Sequence, residues 1–277
     1  MKITDMNGAV KLHNGISMPY LGLGVYQTKD GREVRDAVKY ALDAGYRHID
    51  TAAAYQNEEG VGEAIKQHAV DRHDVFITTK VWNSDQGYDT TIKAFYSALE
   101  KLQTDYIDLF LQHWPVKGMY KETWRAMETL YNEGRIKAIG VSNFLQFQLE
   151  DLMGSASIMP MVDQVEFHPF LVQQELLDFC KLNNIQFESW FPLMHGEALK
   201  IPFFIVMADR YHITVPQLLL RWNLQKGAVV IPKSVSQQRI QANTKLFDFE
   251  LSTDDMLALD NQDRGLRMGP DPADFHF

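Results

Sequence analysis

Eight short β-rich runs alternate along this chain with longer stretches of helical spacing, and that alternation restricts the fold more than any other feature. The runs lie at residues 20–24, 46–50, 74–79, 106–112, 136–141, 162–167, 186–190 and 228–231. Between them apolar residues recur three and four apart, as at Val34, Val38, Ala41 and Leu42, or at Leu99 and Leu102. Strands that each lead into a helix build a parallel sheet, either open and doubly wound or closed into a (β/α)8 TIM barrel. The dinucleotide fingerprint of the open form is missing. Its nearest match, Gly22-Leu23-Gly24-Val25-Tyr26-Gln27, lacks the third glycine and the early helix start. The expectation is therefore an α/β barrel in a single domain over residues 1–277, a length that one such barrel fills. Ahead of it, residues 9–12 and Ile16 flank His13-Asn14-Gly15, and the Asn-Gly pair favours a type I′ hairpin turn. Gly31 and Gly45 bracket the first helix, and Gly134 ends the one that begins near Tyr120.

Composition removes several function classes. Lys and Arg number 27 against 36 Asp and Glu, a net charge of −9 with no basic block, which disfavours nucleic acid as a partner. Apolar residues make up 45%, enough to bury a core. The one cysteine, Cys180, excludes an internal disulfide framework and a Cys-rich zinc site. Apolar runs such as Ile205-Val206-Met207-Ala208 fall far short of the roughly 18 residues of a membrane span. The opening residues hold no apolar signal-peptide region, so a cytoplasmic protein is expected.

A barrel carries its chemistry at the C-terminal ends of its strands. The second run ends at Asp50, with Tyr55 in the loop beyond it. The third leads into Lys80 and Trp82, and the fourth into His113 and Trp114. Alone, each has a plain structural explanation, such as a cap, a solvated lysine or a packed ring. Together they suit the oxygen side of a carbonyl reduction. A tyrosine phenol has an ordinary pKa near 10. A neighbouring ammonium lowers that value, so Lys80 is expected to bring Tyr55 toward working pH while Asp50 keeps Lys80 charged and aimed. His113 would hydrogen-bond the carbonyl oxygen. The hydride must then come from a cofactor. Ser142 and Asn143 follow the fifth run, Gln164 lies in the sixth, and Trp190 ends the seventh with a flat ring for a nicotinamide. After the eighth come Lys233, Ser234 and Arg239, either a phosphate site or a solvated basic patch beside a helix cap near Ser236.

These residues resemble the aldo-keto reductase family. Gly45-Tyr46-Arg47-His48-Ile49-Asp50-Thr51-Ala52 is similar to its first signature, and the segment from Met127 to Asn143 to its second. Ile231-Pro232-Lys233-Ser234 with Arg239 and Asn243 is similar to its third. Within the family the chain resembles the bacterial 2,5-diketo-gluconate and glyoxal reductases, which share the tail Gly269-Pro270-Asp271-Pro272. The resemblance implies a barrel whose bottom is closed by the hairpin, and NADPH-dependent reduction of aldehydes and ketones by a monomer that needs no metal. It implies Tyr55 as general acid, Asp50 and Lys80 tuning it, and His113 orienting the carbonyl. It implies Ser142, Asn143 and Gln164 on the carboxamide, Trp190 under the nicotinamide and Leu193 beside the cofactor. Lys233, Ser234 and Arg239 would take the 2′-phosphate and Asn243 the adenine, with the backbones of Gly24 and Val25 close by. Tyr26, Trp82 and Trp114 would line the substrate pocket.

Three residues depart from the family pattern. Phe191 replaces the usual serine, Ala242 a glutamate and Asp163 an asparagine. At about 1–2 kcal/mol per lost hydrogen bond, these changes are expected to weaken the cofactor's hold. Residues 144–147 and 201–207 are also unusually apolar. They read as helix core, as a pocket rim rebuilt for a bulky apolar substrate, or as an oligomer contact, and such clustering also fits a laboratory-evolved variant. Two other functions stay open on the residues alone. One is a cofactor-binding barrel without turnover. The other is a Schiff-base enzyme with Lys80 as nucleophile, which Asp50 disfavours by holding the amine protonated. None of the nine histidines stands in a His-x-His or His-Glu-x-x-His spacing, which argues against a metal-dependent hydrolase.

Overall fold

In the computed structural model, residue 3 and residues 5–275 are described. Strands β1 (Ala9–Lys11) and β2 (Ser17–Pro19) form an antiparallel hairpin. Eight strands follow: β3 (Leu23–Gly24), β4 (His48–Asp50), β5 (Phe76–Val81), β6 (Ile107–Gln112), β7 (Ile136–Ser142), β8 (Val162–Glu166), β9 (Gln186–Trp190) and β10 (Val229–Val230). Each pairs in parallel with the next. The cylinder closes where Leu21 bridges Val230 and Gly24 bridges Lys233. There the N–H of Gly22 donates to the Val230 carbonyl at 2.8 Å, and the N–H of Val230 to that of Tyr20 at 3.0 Å. The α/β barrel is thus the observed fold.

Strands β5, β6 and β8 are buried along their whole length, so the polar residues they carry among the apolar ones, such as Thr78, Lys80, Gln164 and Glu166, take their partners inside the protein. The surrounding helices bury one stripe each. Helix Arg32–Asp43 turns Val34, Ala37, Val38, Ala41 and Leu42 inward. Helix Val215–Gln225 starts on a reciprocal cap, in which the Thr214 side chain accepts from the N–H of Gln217 and the Gln217 side chain from that of Thr214. Its first residues reach the barrel mouth.

Three local expectations are corrected. The hairpin turn is not type I′, because only Gly15 has a positive φ (88°). The Gly15 N–H closes a turn on the Leu12 carbonyl, while the Asn14 amide reaches across to the Lys137 carbonyl at 2.9 Å. That bond, with Met18 fully buried, seats the hairpin at the barrel bottom. The third run begins at Phe76 instead of residue 74, because Asp71 caps a short 3-10 turn over Arg72–Asp74. The first and last barrel strands are only two residues long, since closure there rests on a few bonds.

Candidate active site

The C-terminal ends of β4, β5 and β6 bring Asp50, Lys80 and His113 together, and a 3-10 turn over Ala53–Tyr55 swings Tyr55 back above them. Lys80 is fully buried. Its Nζ donates to both oxygens of Asp50, at 2.7 and 2.8 Å, and to the Thr51 carbonyl at 2.9 Å. The Tyr55 hydroxyl lies 3.5 Å away. An ammonium has three N–H groups, so those of Lys80 are committed to Asp50 and Thr51. The Tyr55 ring meets His113 edge-on at 5.6 Å and Tyr26 at 5.1 Å, and Trp82 also meets His113 edge-on at 5.0 Å.

The electrostatics correct one expectation. Burial, followed by the negative field of Asp50, raises the Tyr55 phenol well above its ordinary value. Lys80 does not reverse this, because Asp50 balances its charge. Tyr55 therefore stays a neutral phenol with a proton to give. Burial first and the Lys80 charge second hold His113 well below the usual imidazole value, so it too is neutral. Asp50 is raised by burial and pulled back by Lys80 and the Gln164 amide.

Beneath this layer lies a group that the strand-end reading missed. The Gln164 amide donates to Asp50 at 2.8 Å and to Glu188 at 2.9 Å. Burial and Asp50 push the Glu188 carboxyl up to about 8. His48 bonds Thr78 at 3.0 Å and is lowered by burial to about 3. His48, Thr78 and Glu188 stand two residues before Asp50, Lys80 and Trp190. The period of two along a strand was the available signal.

A cleft of about 1460 Å³ opens above the quartet. It exceeds the usual size of a small-ligand pocket and offers room for a dinucleotide and a substrate. Tyr55, His113, Tyr26, Trp82 and Trp114 line one end. Gly24, Ser142, Asn143, Gln164, Trp190, Phe191 and Leu193 line the middle. Lys233, Ser234, Arg239, Ala242 and Asn243 line the far end. Val25 does not line it. The Val25 N–H donates to Asp50, and its carbonyl accepts from Thr28 and Asn57.

The middle is pre-ordered. Trp190 donates from Nε1 to Asn143 at 2.9 Å, and Asn143 donates to the His113 carbonyl at 2.9 Å. Ser142 donates to the Gln164 carbonyl at 2.8 Å. These donors are already used, so the middle of the cleft presents mainly acceptors, which match the N–H groups of a carboxamide. At the far end Lys233 and Arg239 are exposed and form no ion pair among the described residues. The helix beside them is short, Gln237–Ala242, and its cap Ser236 already accepts from the Arg239 N–H. The charge for an anion thus comes from the two side chains.

Phe191 fills its place with a ring set edge-on to Trp190 at 4.7 Å and 6.0 Å from Tyr26. Asp163 does not face the cleft. Neighbours on a strand point to opposite faces, so Gln164 enters the barrel while Asp163 turns toward the helices and Cys180. The apolar stretches 144–147 and 201–207 do not line the cleft either. Phe144 and Phe204 are core, while Phe147, Ile205 and Val206 are exposed. Among the described residues no group of side chains is set to hold a metal, and no helix is long and apolar enough to cross a membrane.

Comparison with known proteins places the chain in a family. The model of the aldo/keto reductase family matches residues 20–264. Glyoxal reductase of Bacillus subtilis is 53% identical over 274 residues, covering 99% of both chains. Methylglyoxal reductase DkgA of Escherichia coli is 45% identical, covering 96% of this chain and 97% of that one. A crystal structure of the Gox0644 D53A mutant in complex with NADPH superposes with a TM-score of 0.92 at 42% identity, covering 97% and 98% of the two chains. The chain belongs to the aldo/keto reductase family.

Proposed function

We propose that the protein reduces aldehydes and ketones to alcohols with NADPH, and that Tyr55 supplies the proton. The observation that carries this is the Tyr55 hydroxyl 3.5 Å from a buried Lys80–Asp50 pair, at the floor of a cleft that also presents Lys233 and Arg239, which form no ion pair among the described residues. NADPH held along the cleft would supply the hydride that the carbonyl carbon needs. Neutral His113 offers an N–H to the carbonyl oxygen and holds it beside Tyr55. As that oxygen gains negative charge, it becomes basic enough to take the phenolic proton despite the raised value of Tyr55. The phenolate that remains lies next to Lys80, whose charge is already in place and needs no reorganisation. Lys80 itself is fully hydrogen-bonded and does not line the cleft, which is unsuited to a Schiff-base nucleophile.

Ser142, Asn143 and Gln164 would receive the carboxamide, Trp190 the nicotinamide face, and Gly24 and Leu193 the chain between the rings. Lys233, Ser234 and Arg239 would take the 2′-phosphate and Asn243 the adenine. Relatives named for glyoxal and methylglyoxal support small reactive aldehydes as substrates. Tyr26, Trp82 and Trp114 suit an aromatic aldehyde as well. The same reading takes the enzyme as a cytoplasmic monomer, supported by its charge of −9 and by a lone cysteine that is buried.

The test is NADPH oxidation with methylglyoxal and with an activated aromatic aldehyde, together with mass analysis of the alcohol formed from NADPH deuterated at both C4 positions. One deuterium on the carbinol carbon is expected, and no oxidation with any carbonyl would overturn the reading. Arg239→Ala should weaken NADPH by about tenfold or more, the size of one charge-assisted contact, and leave NADH unchanged. Titration by tryptophan quenching measures both, and equal losses would show that Arg239 does not read the 2′-phosphate.

A further inference from the structure

The C-terminal tail crosses the mouth of the barrel, and one buried side chain ties it down. Glu166, at the end of β8, is fully buried. Its Oε1 accepts from the N–H of Met268 at 2.5 Å and from His168 Nε2 at 2.9 Å, and its Oε2 from the N–H of Gly269 at 3.2 Å. Further ties flank this point. The N–H groups of Arg264 and Leu266 donate to the Phe170 carbonyl at 3.2 and 2.9 Å. Beyond it, the Phe275 ring packs on Trp114 at 5.1 Å. Met268, Gly269 and Pro270 thereby become part of the cleft wall.

Gly269 is pressed against Trp190. A Cβ at that position would lie 2.6 Å from Cη2 and 3.2 Å from Cζ3 of the indole. The opposite edge of the same ring is held through Nε1 by Asn143. The indole is therefore gripped at both ends, by a barrel loop and by the tail. We propose that Glu166 is a positioning residue, which fixes Met268 and Gly269 against the benzo edge of Trp190 and so sets the platform under the nicotinamide. The last step rests on the reading of Trp190 as that platform.

The effect of the carboxyl depends on its having two acceptor oxygens for two backbone N–H groups. A glutamine offers one oxygen and turns an NH2 toward the other donor. Glu166→Gln should free one N–H of the tail. Gly269→Ala attacks the same contact from the other side, since its methyl group has no room against the ring.

The probe is the protein labelled with 5-fluorotryptophan and read by 19F NMR without cofactor. The Trp190 signal is assigned by its loss in Trp190→Phe. Glu166→Gln and Gly269→Ala should each displace that signal and leave those of Trp124 and Trp222 in place. Both should also raise the NADPH dissociation constant by about fivefold, with kcat at saturation kept within about threefold. Glu166→Asp keeps both oxygens but draws them back, so a smaller displacement is expected, and it decides the matter should Glu166→Gln not fold. An unmoved Trp190 signal in Glu166→Gln or Glu166→Asp would overturn the proposal. An unmodified protein that binds no NADPH would instead sink the cofactor reading, and the fluorine signal would still report whether Glu166 holds the tail on Trp190.

Discussion

Lys80→Met is expected to destabilise the fold by about 3–5 kcal/mol and to cut turnover by at least about a hundredfold. Lys80 and Asp50 are both buried, with two contacts below 3 Å between them. Removing the ammonium leaves Asp50 with the Gln164 amide alone among its side-chain partners, in a site where burial already raises it. The remaining carboxyl must either stay charged without a partner or take a proton. Its folded-state value then stands further above that of the unfolded chain. A group shifted in that sense favours the fold below its unfolded value and loses that contribution as pH rises toward the folded one. The deficit of Lys80→Met should therefore be smallest in acid and grow toward neutral pH. Urea denaturation across pH measures it. A deficit below about 1 kcal/mol at every pH would mean that the pair is not electrostatically coupled as the distances indicate.

Asp163→Asn should have the opposite effect, a gain in stability. Asp163 is fully buried, and neither carboxyl oxygen has a well-formed hydrogen bond among the described residues. Burial raises it well above the carboxylate range, and the Phe144 N–H pulls it back only in part. The sign follows the same rule. The acid favours the fold below the ordinary carboxylate value, and that contribution is lost as pH rises, at up to about 1.4 kcal/mol per pH unit. The asparagine has no such slope. Its advantage should be near zero at pH ~4 and reach a few kcal/mol by pH ~8 in thermal or urea unfolding. Equal stability of the two proteins at pH ~8 would show that Asp163 reaches water or a partner. Because Asp163 faces the helices, the NADPH dissociation constant should not change.

The barrel was legible because its cause is local. Each β-rich run is followed by an amphipathic stretch such as Val34 to Leu42, and repetition of that unit leaves few topologies. Tyr55, Lys80, Asp50 and His113 could be grouped for the same reason, since a barrel brings its strand ends together. What the residues did not show depends on distances of tenths of an ångström. Burial first, and then the charge of Asp50, raise the Tyr55 phenol, while Lys80 sits 2.7 Å from Asp50 and 3.5 Å from Tyr55 with its charge balanced by the nearer carboxylate. Val25 and Asn143 illustrate a second limit. Their polar groups look free in the sequence, but the barrel and its loops use them internally. The orientation of Asp163 and the place of Glu188 were available from strand alternation, once Gln164 and Trp190 were set facing inward. The grip of Glu166 on Met268 spans about a hundred residues of chain and leaves no local signature.

The most direct measurement compares the protein with Tyr55→Phe, in NADPH-dependent carbonyl reduction and in NADPH titration on the same samples. The phenylalanine keeps the ring contacts with Tyr26 and His113 and removes only the proton donor. If Tyr55 is the acid, kcat should fall by about 10²–10⁴-fold while the NADPH dissociation constant stays within about twofold. Turnover by Tyr55→Phe within tenfold of the unmodified protein would contradict this and assign the proton to another group.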